Sequence, residues 1–94
     1  MQTKRVRGTA TSVYESPDVI QVKYHDTVVV EITHNRIVLN TGGWKTTTTK
    51  RRMNQASNQY GLRYWVYQTR GLWFVHYGGK DLAFKNDELV LIRE

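Results

Sequence analysis

The sequence contains no cysteine. That absence excludes a disulfide framework, a thiol nucleophile, a thiolate zinc site and an iron–sulfur centre. No run approaches the roughly 18 apolar residues of a membrane helix. Met1 to Thr9 is basic and polar with no apolar core, so no secretory leader and no membrane association are expected. The three histidines, His25, His34 and His76, fall on different segments and form no HxxxH or HExxH pair. GxSxG, GxxxxGK[ST] and GxGxxG are all missing, and paired carboxylates are missing from the basic region. No catalytic residue, metal ligand or cofactor is therefore assigned, and the chain is expected not to be an enzyme. The residual enzymatic option is a metal-independent ribonuclease, with His76 beside Arg63, Arg70 and Tyr77.

Acid is also missing over a long stretch. No Asp or Glu occurs from Ile32 to Lys80, while Arg36, Lys45, Lys50, Arg51, Arg52, Arg63, Arg70 and Lys80 do. The formal net charge of +6 is thus concentrated in the middle of the chain. Such a block points to a polyanionic partner, the alternative being a solvated basic face. With 94 residues the chain is expected to be one domain, 1–94, with a thin core carried largely by its 11 aromatics.

Alternation and turn residues predict strands over Val19–Tyr24, Val28–Ile32 and Arg36–Leu39, with turns at His25-Asp26 and His34-Asn35. Leu62–Gln68 and Leu72–Tyr77 flank a three-residue loop, Thr69-Arg70-Gly71. Gly78-Gly79 turns the chain into Lys80–Phe84, and Asn86-Asp87 turns it into Leu89–Ile92. A helix is expected over Lys50–Tyr60, capped by Thr48 or Thr49 and ended by Gly61. Met53, Ala56 and Tyr60 give it one narrow apolar stripe, with Arg51, Asn54, Gln55 and Asn58 on the polar side. The expected fold is α+β: a small antiparallel sheet in the order β-β-β-α-β-β-β, with the central helix packed on a sheet face. Residues 1–17 show no clear period and are expected to form a loose N-terminal arm.

The segment Thr41–Asn54, TGGWKTTTTKRRMN, gathers glycines, a tryptophan, threonines and cations in one loop and helix start. Cations at a helix N-terminus oppose the macrodipole, at about 0.3–1 kcal/mol each. Their presence makes sense if an anion binds there. Gly42 and Gly43 would form an amide nest, Lys45, Thr48, Lys50, Arg51 and Arg52 would hold phosphates, and Trp44 would stack on a base or plug the core.

The stretch from His34 to Leu62, HNRIVLNTGGWKTTTTKRRMNQASNQYGL, followed by YWVYQ and WFV, resembles a family of small uncharacterised proteins encoded by tailed bacteriophages. The resemblance covers the last two-thirds of the chain and excludes the N-terminal arm. It implies a phage accessory product acting in the cytoplasm of the bacterial host, where such proteins block host defence or redirect host machinery. It carries over no catalytic residue.

In the aromatic hairpin, Leu62, Tyr64 and Val66 share one face, and Arg63, Trp65 and Tyr67 share the other. On the second strand Leu72, Phe74 and His76 alternate with Trp73, Val75 and Tyr77. One face covers the core. The other is a basic aromatic surface, with Arg63, Trp65, Tyr67 and Trp73 as candidates for base stacking or for an interface with a second subunit of a homo-oligomer. The expected function is non-enzymatic binding of a phosphate-bearing ligand, such as a host nucleotide used as an immune signal and sequestered against host defence. The alternatives are a nucleic-acid binder, for single strands or duplex backbone, and an inhibitor docked on a host defence protein.

Overall fold

The computed structural model describes residues 8–93. The described chain runs β1 (Thr11–Glu15), β2 (Val19–Tyr24), β3 (Thr27–Thr33), β4 (Arg36–Asn40), α1 (Thr47–Tyr60), β5 (Trp65–Thr69), β6 (Leu72–Tyr77), β7 (Lys80–Ala83) and β8 (Glu88–Ile92). The class is α+β and every strand pairing is antiparallel, with one helix between two runs of strands, as the sequence predicts. The strands divide between two sheets, ordered β1-β2-β3-β4-β8 and β5-β6-β7. The last strand therefore leaves the hairpin region and pairs with β4, setting Ile37 opposite Leu91 and Leu39 opposite Leu89.

Period-2 alternation explains the first sheet's inner face. Val22, Val30 and Leu39 form one buried row, and Ile32, Ile37 and Leu91 form another. The pattern breaks at Val29, which is buried next to buried Val30. Val22 pairs with Val30 and Lys23 with Val28, so Val29 is the extra residue of a β-bulge. The inner faces of both sheets and the apolar stripe of α1 meet in one core that includes Met53, Ala56, Leu62, Val66, Trp73 and Val75.

The N-terminal segment departs from expectation. Thr11–Glu15, assigned to a loose arm, is paired along its length with β2. Its side chains are mostly exposed, which removes the hydrophobic alternation that would have announced a strand. Two helix residues hold it as well: Arg52 Nε donates to Thr11 Oγ1 at 2.8 Å, and the Tyr60 hydroxyl donates to Glu15. Residues 1–7, the rest of that arm, lie outside the described residues.

Helix α1 begins three residues earlier than the composition suggests. Thr46 is the N-cap and accepts from the Thr49 amide at 3.2 Å. Threonine is a poor helix former, so propensity argues for a later start. Capping by Thr46 and full burial of Thr49 override it. At the other end Gly61 takes the expected left-handed conformation, φ 63°.

The helix also seals one edge of the second sheet. Asn54 Nδ2 donates to the Val66 carbonyl at 3.0 Å, and Asn54 Oδ1 accepts from the Val66 amide at 2.7 Å. Ser57 does the same for Tyr64, accepting from its amide at 3.0 Å and donating to its carbonyl at 2.6 Å. The Tyr64 hydroxyl returns to the Met53 carbonyl at 2.6 Å. Asn54, expected on the solvated side, is instead a strand partner. No helix among the described residues is long and apolar enough to cross a membrane.

Candidate functional site

The loop between β4 and α1 is built before any ligand arrives. Thr41 is fully buried; its amide donates to the Asp87 carbonyl at 2.7 Å and its hydroxyl to Asp87 Oδ1 at 3.1 Å. The Gly42 amide donates to Asn40 Oδ1 at 2.8 Å, the Gly43 amide to Thr41 Oγ1 at 3.2 Å, and the Trp44 amide to the Thr41 carbonyl at 2.9 Å. Both glycine amides of the expected anion nest, and the Trp44 amide after them, are therefore used by the loop itself. Gly42, at φ 62°, also lies so close to Thr27 that a Cβ would fall 2.3 Å from its hydroxyl. The two glycines serve to turn and seat the loop, and the loop holds out Trp44.

Trp44 is 61% exposed. It does not plug the core. It forms one wall of a cleft of about 460 Å³, whose other lining residues are Tyr24, His25, Asp26, Thr27 and the helix cap Thr46. Tyr24 and His25 meet with ring centroids 4.4 Å apart, and His25 sits at φ 55° in the β2–β3 turn. Lys45 beside Trp44 is exposed and Thr48 is half-buried. The sequence predicts a turn at His25-Asp26 but gives no sign of the other residues that meet it in this cleft. Their role depends on the β2–β3 turn meeting a loop some twenty residues later, which no local pattern encodes.

The three helix cations do not converge. Successive helix residues point about 100° apart, so neighbours in sequence do not share a face. The Lys50 ammonium lies 5.8 Å from the centroid of the buried Trp73 ring. Arg51 is exposed. Arg52 is 94% buried in the other direction, bonded to Thr11, with its guanidinium 5.9 Å from the Tyr24 ring centroid. The earlier helix start also puts these cations beyond the first turn, which holds only threonines before Lys50. Arg52 is thus a structural anchor, and a single phosphate held by Lys50, Arg51 and Arg52 together is not assembled.

The hairpin divides as its alternation predicts. Leu62, Tyr64, Val66, Trp73 and Val75 face the core. Trp73, a candidate for stacking or interface, is buried edge-on to Phe84 at 6.0 Å and is removed from that role. On the outer face Trp65 stacks on His76 with centroids 4.3 Å apart, and Tyr67 on Phe74 at 5.6 Å. Asp81 receives both the Tyr67 hydroxyl at 2.8 Å and His76 Nδ1 at 3.0 Å. These bonds, that from Tyr67 first, lower the Asp81 pKa, and the carboxylate raises that of Tyr67. Arg63 leaves the alternation: at φ 64° it lines a groove of about 350 Å³ with Gly61, Tyr77, Gly78 and Arg93. The loop at the tip has two residues, Arg70 and Gly71 at φ 53° and 78°, because Thr69 still pairs with Leu72.

Among the described residues the ion pair present is His76–Asp81, and no Lys or Arg pairs with a described acid. The basic surface is therefore electrostatically open. The described residues also contain no group of three or more His, Asp or Glu placed to hold a metal ion.

A family model described as Kyanoviridae Gp96 protein matches residues 1–90. The match takes in the N-terminal segment, which the sequence resemblance had left out. No curated protein matches the chain, and no solved structure does.

Proposed function

The chain belongs to the Kyanoviridae Gp96 family, a family of phage accessory proteins, and from that premise we propose that it binds a nucleotide-class ligand without transforming it. The observation that carries this reading is Trp44: a large aromatic, 61% exposed, at the end of a run, Thr41 to Trp44, in which every amide is tied down. An exposed tryptophan held rigidly at a cleft loses little entropy when a planar group stacks on it. The cleft volume of about 460 Å³ falls in the range of small-molecule sites. A base would stack on Trp44 against the Tyr24–His25 pair, with Asp26 and Thr27 offering hydrogen bonds to its edge or to a sugar. Phosphate would lie toward exposed Lys45 and the threonines that open α1. Lys50 and Arg51 add to the positive field instead of touching the ligand. Sequestration of a host nucleotide signal is the role such a binder would serve in a phage.

Native mass spectrometry of protein purified from bacterial cells, with its 260/280 nm absorbance ratio, tests for a retained nucleotide. Calorimetric titration with linear and cyclic nucleotides then gives affinity. Trp44→Ala is expected to weaken binding by about 5- to 150-fold, the worth of one stacked base, with the fold intact. Nucleotide affinity unchanged by Trp44→Ala would remove the cleft from the function.

A further inference from the structure

A second surface stands apart from the Trp44 cleft: the solvent face of the β5-β6-β7 sheet. Strand register places Trp65, His76 and Asp81 in one row, Tyr67, Phe74 and Ala83 in the next, and Thr69 with Leu72 at the tip. No described element covers this face, and Trp65 and Leu72 are 52% and 63% exposed. The rings are already ordered. Trp65 is packed on His76, Tyr67 on Phe74, and Asp81 fixes His76 and Tyr67 together. We propose that this face is a platform for single-stranded nucleic acid.

Spacing, charge and area argue for that occupant. Two residues along a strand advance about 6.6 Å, so Trp65 and Tyr67 present ring surfaces one base step apart to an extended strand. Exposed cations flank the rings: Arg70 at the β5–β6 tip and Lys85 just past the end of β7. Neither is paired with a described acid. The one acid on the face, Asp81, is already engaged by Tyr67 and His76. Bases stack on such rings, and phosphates reach the cations. A duplex keeps its bases stacked inside and offers the rings nothing. A second copy of this chain fits less well. The face spans three strands of at most six residues, a footprint of roughly 300 Å², against about 800 Å² per partner in a stable complex. A symmetric pairing would also bring like charges together.

The test is fluorescence anisotropy of labelled oligothymidylate and oligouridylate, beside a hairpin duplex of equal length, over a range of salt. Single strands of one or both sugars are expected to bind more tightly than the duplex. Trp65→Ala is expected to weaken single-strand binding by about 5- to 150-fold, with an unchanged circular dichroism spectrum. Arg70→Gln, which leaves the rings alone, is expected to reduce the salt slope by about 0.7. Three results would overturn the proposal. Equal affinity for single strand and duplex, insensitive to Trp65→Ala, would reduce the face to bulk charge. Loss on Trp44→Ala in place of Trp65→Ala would put the strand in the cleft. A dimer by light scattering that Trp65→Ala dissociates, with oligonucleotide affinity unchanged, would assign the face to a second copy.

Discussion

Arg51 and Arg52 are adjacent, chemically identical and on one helix, yet the structure gives them opposite weights in stability. Arg51 is exposed, so Arg51→Gln is expected to change stability by less than about 0.5 kcal/mol. Arg52→Gln removes a charged hydrogen bond to Thr11, worth about 1.5–3 kcal/mol. It also removes a cation–π contact with Tyr24, worth about 0.5–2 kcal/mol. Part of the Arg52 stem stays replaced by the glutamine chain, so the sum is roughly 2–4 kcal/mol. A domain of this size has about 5–15 kcal/mol in all, so the loss takes a large fraction of it. At about 4–8 °C per kcal/mol, the melting temperature should fall by roughly 10–25 °C. Urea denaturation followed by tryptophan fluorescence and far-UV circular dichroism measures both variants. The change should lie in the midpoint, not the slope. Equal stability of the two variants, within about 0.5 kcal/mol, would show that Arg52 does not anchor β1 to the helix.

Asn54→Ala deletes both bonds to the Val66 backbone and leaves its amide and carbonyl without their partner, so about 2–3 kcal/mol should be lost in the same denaturation assay. Absorbance titration at 295 nm should find Tyr67 ionising above its ordinary pKa of 10.0, because it donates to the Asp81 carboxylate, and Asp81→Asn should bring that step back down. The linkage has a definite sign. The Tyr67 contribution is complete below the unfolded value and is lost as pH rises through the raised folded one. The Asp81 contribution is complete above its ordinary 3.8 and is lost as pH falls through a lower folded value. Tyr64, raised further by burial, stays protonated until the chain unfolds and does not confuse the reading.

The sequence makes the regular parts of this fold legible, and the reasons differ by element. Gly61 was readable because a helix stop needs a left-handed residue. The two hairpin faces were readable because Leu62, Tyr64 and Val66 keep strict alternation with one face buried. Where alternation carries no hydrophobic contrast, as in Thr11–Glu15, pairing was invisible. Val29 was hidden for the opposite reason, since a bulge adds a residue without changing composition. In the candidate site, Trp44 lines the cleft and Lys45 is exposed beside it, while the Lys50–Arg52 cluster dissolves once helical geometry fans it out. A cluster in one dimension is not a cluster on a helix. The cleft's second wall, Tyr24 to Thr27, comes from a distant turn that no local pattern links to the Trp44 loop.

The bonds of Asn54 to Val66 in β5 and of Ser57 to Tyr64 just before it bear on how the helix is joined to the second sheet. A side-chain amide that exchanges both bonds with a strand residue acts as one more rung of the ladder, and a rung is either made or broken. Rotation of α1 by a single residue would break it, so these bonds fix the register of the helix against the edge of the second sheet. The helix meets the first sheet differently, through packed side chains and the Arg52 and Tyr60 tethers to β1. The Trp44 cleft straddles that seam, with Tyr24 and His25 on one side and the helix cap Thr46 on the other. The aromatic platform lies wholly on the second sheet, so its ring spacing is set by strand register and not by how the helix meets the first sheet.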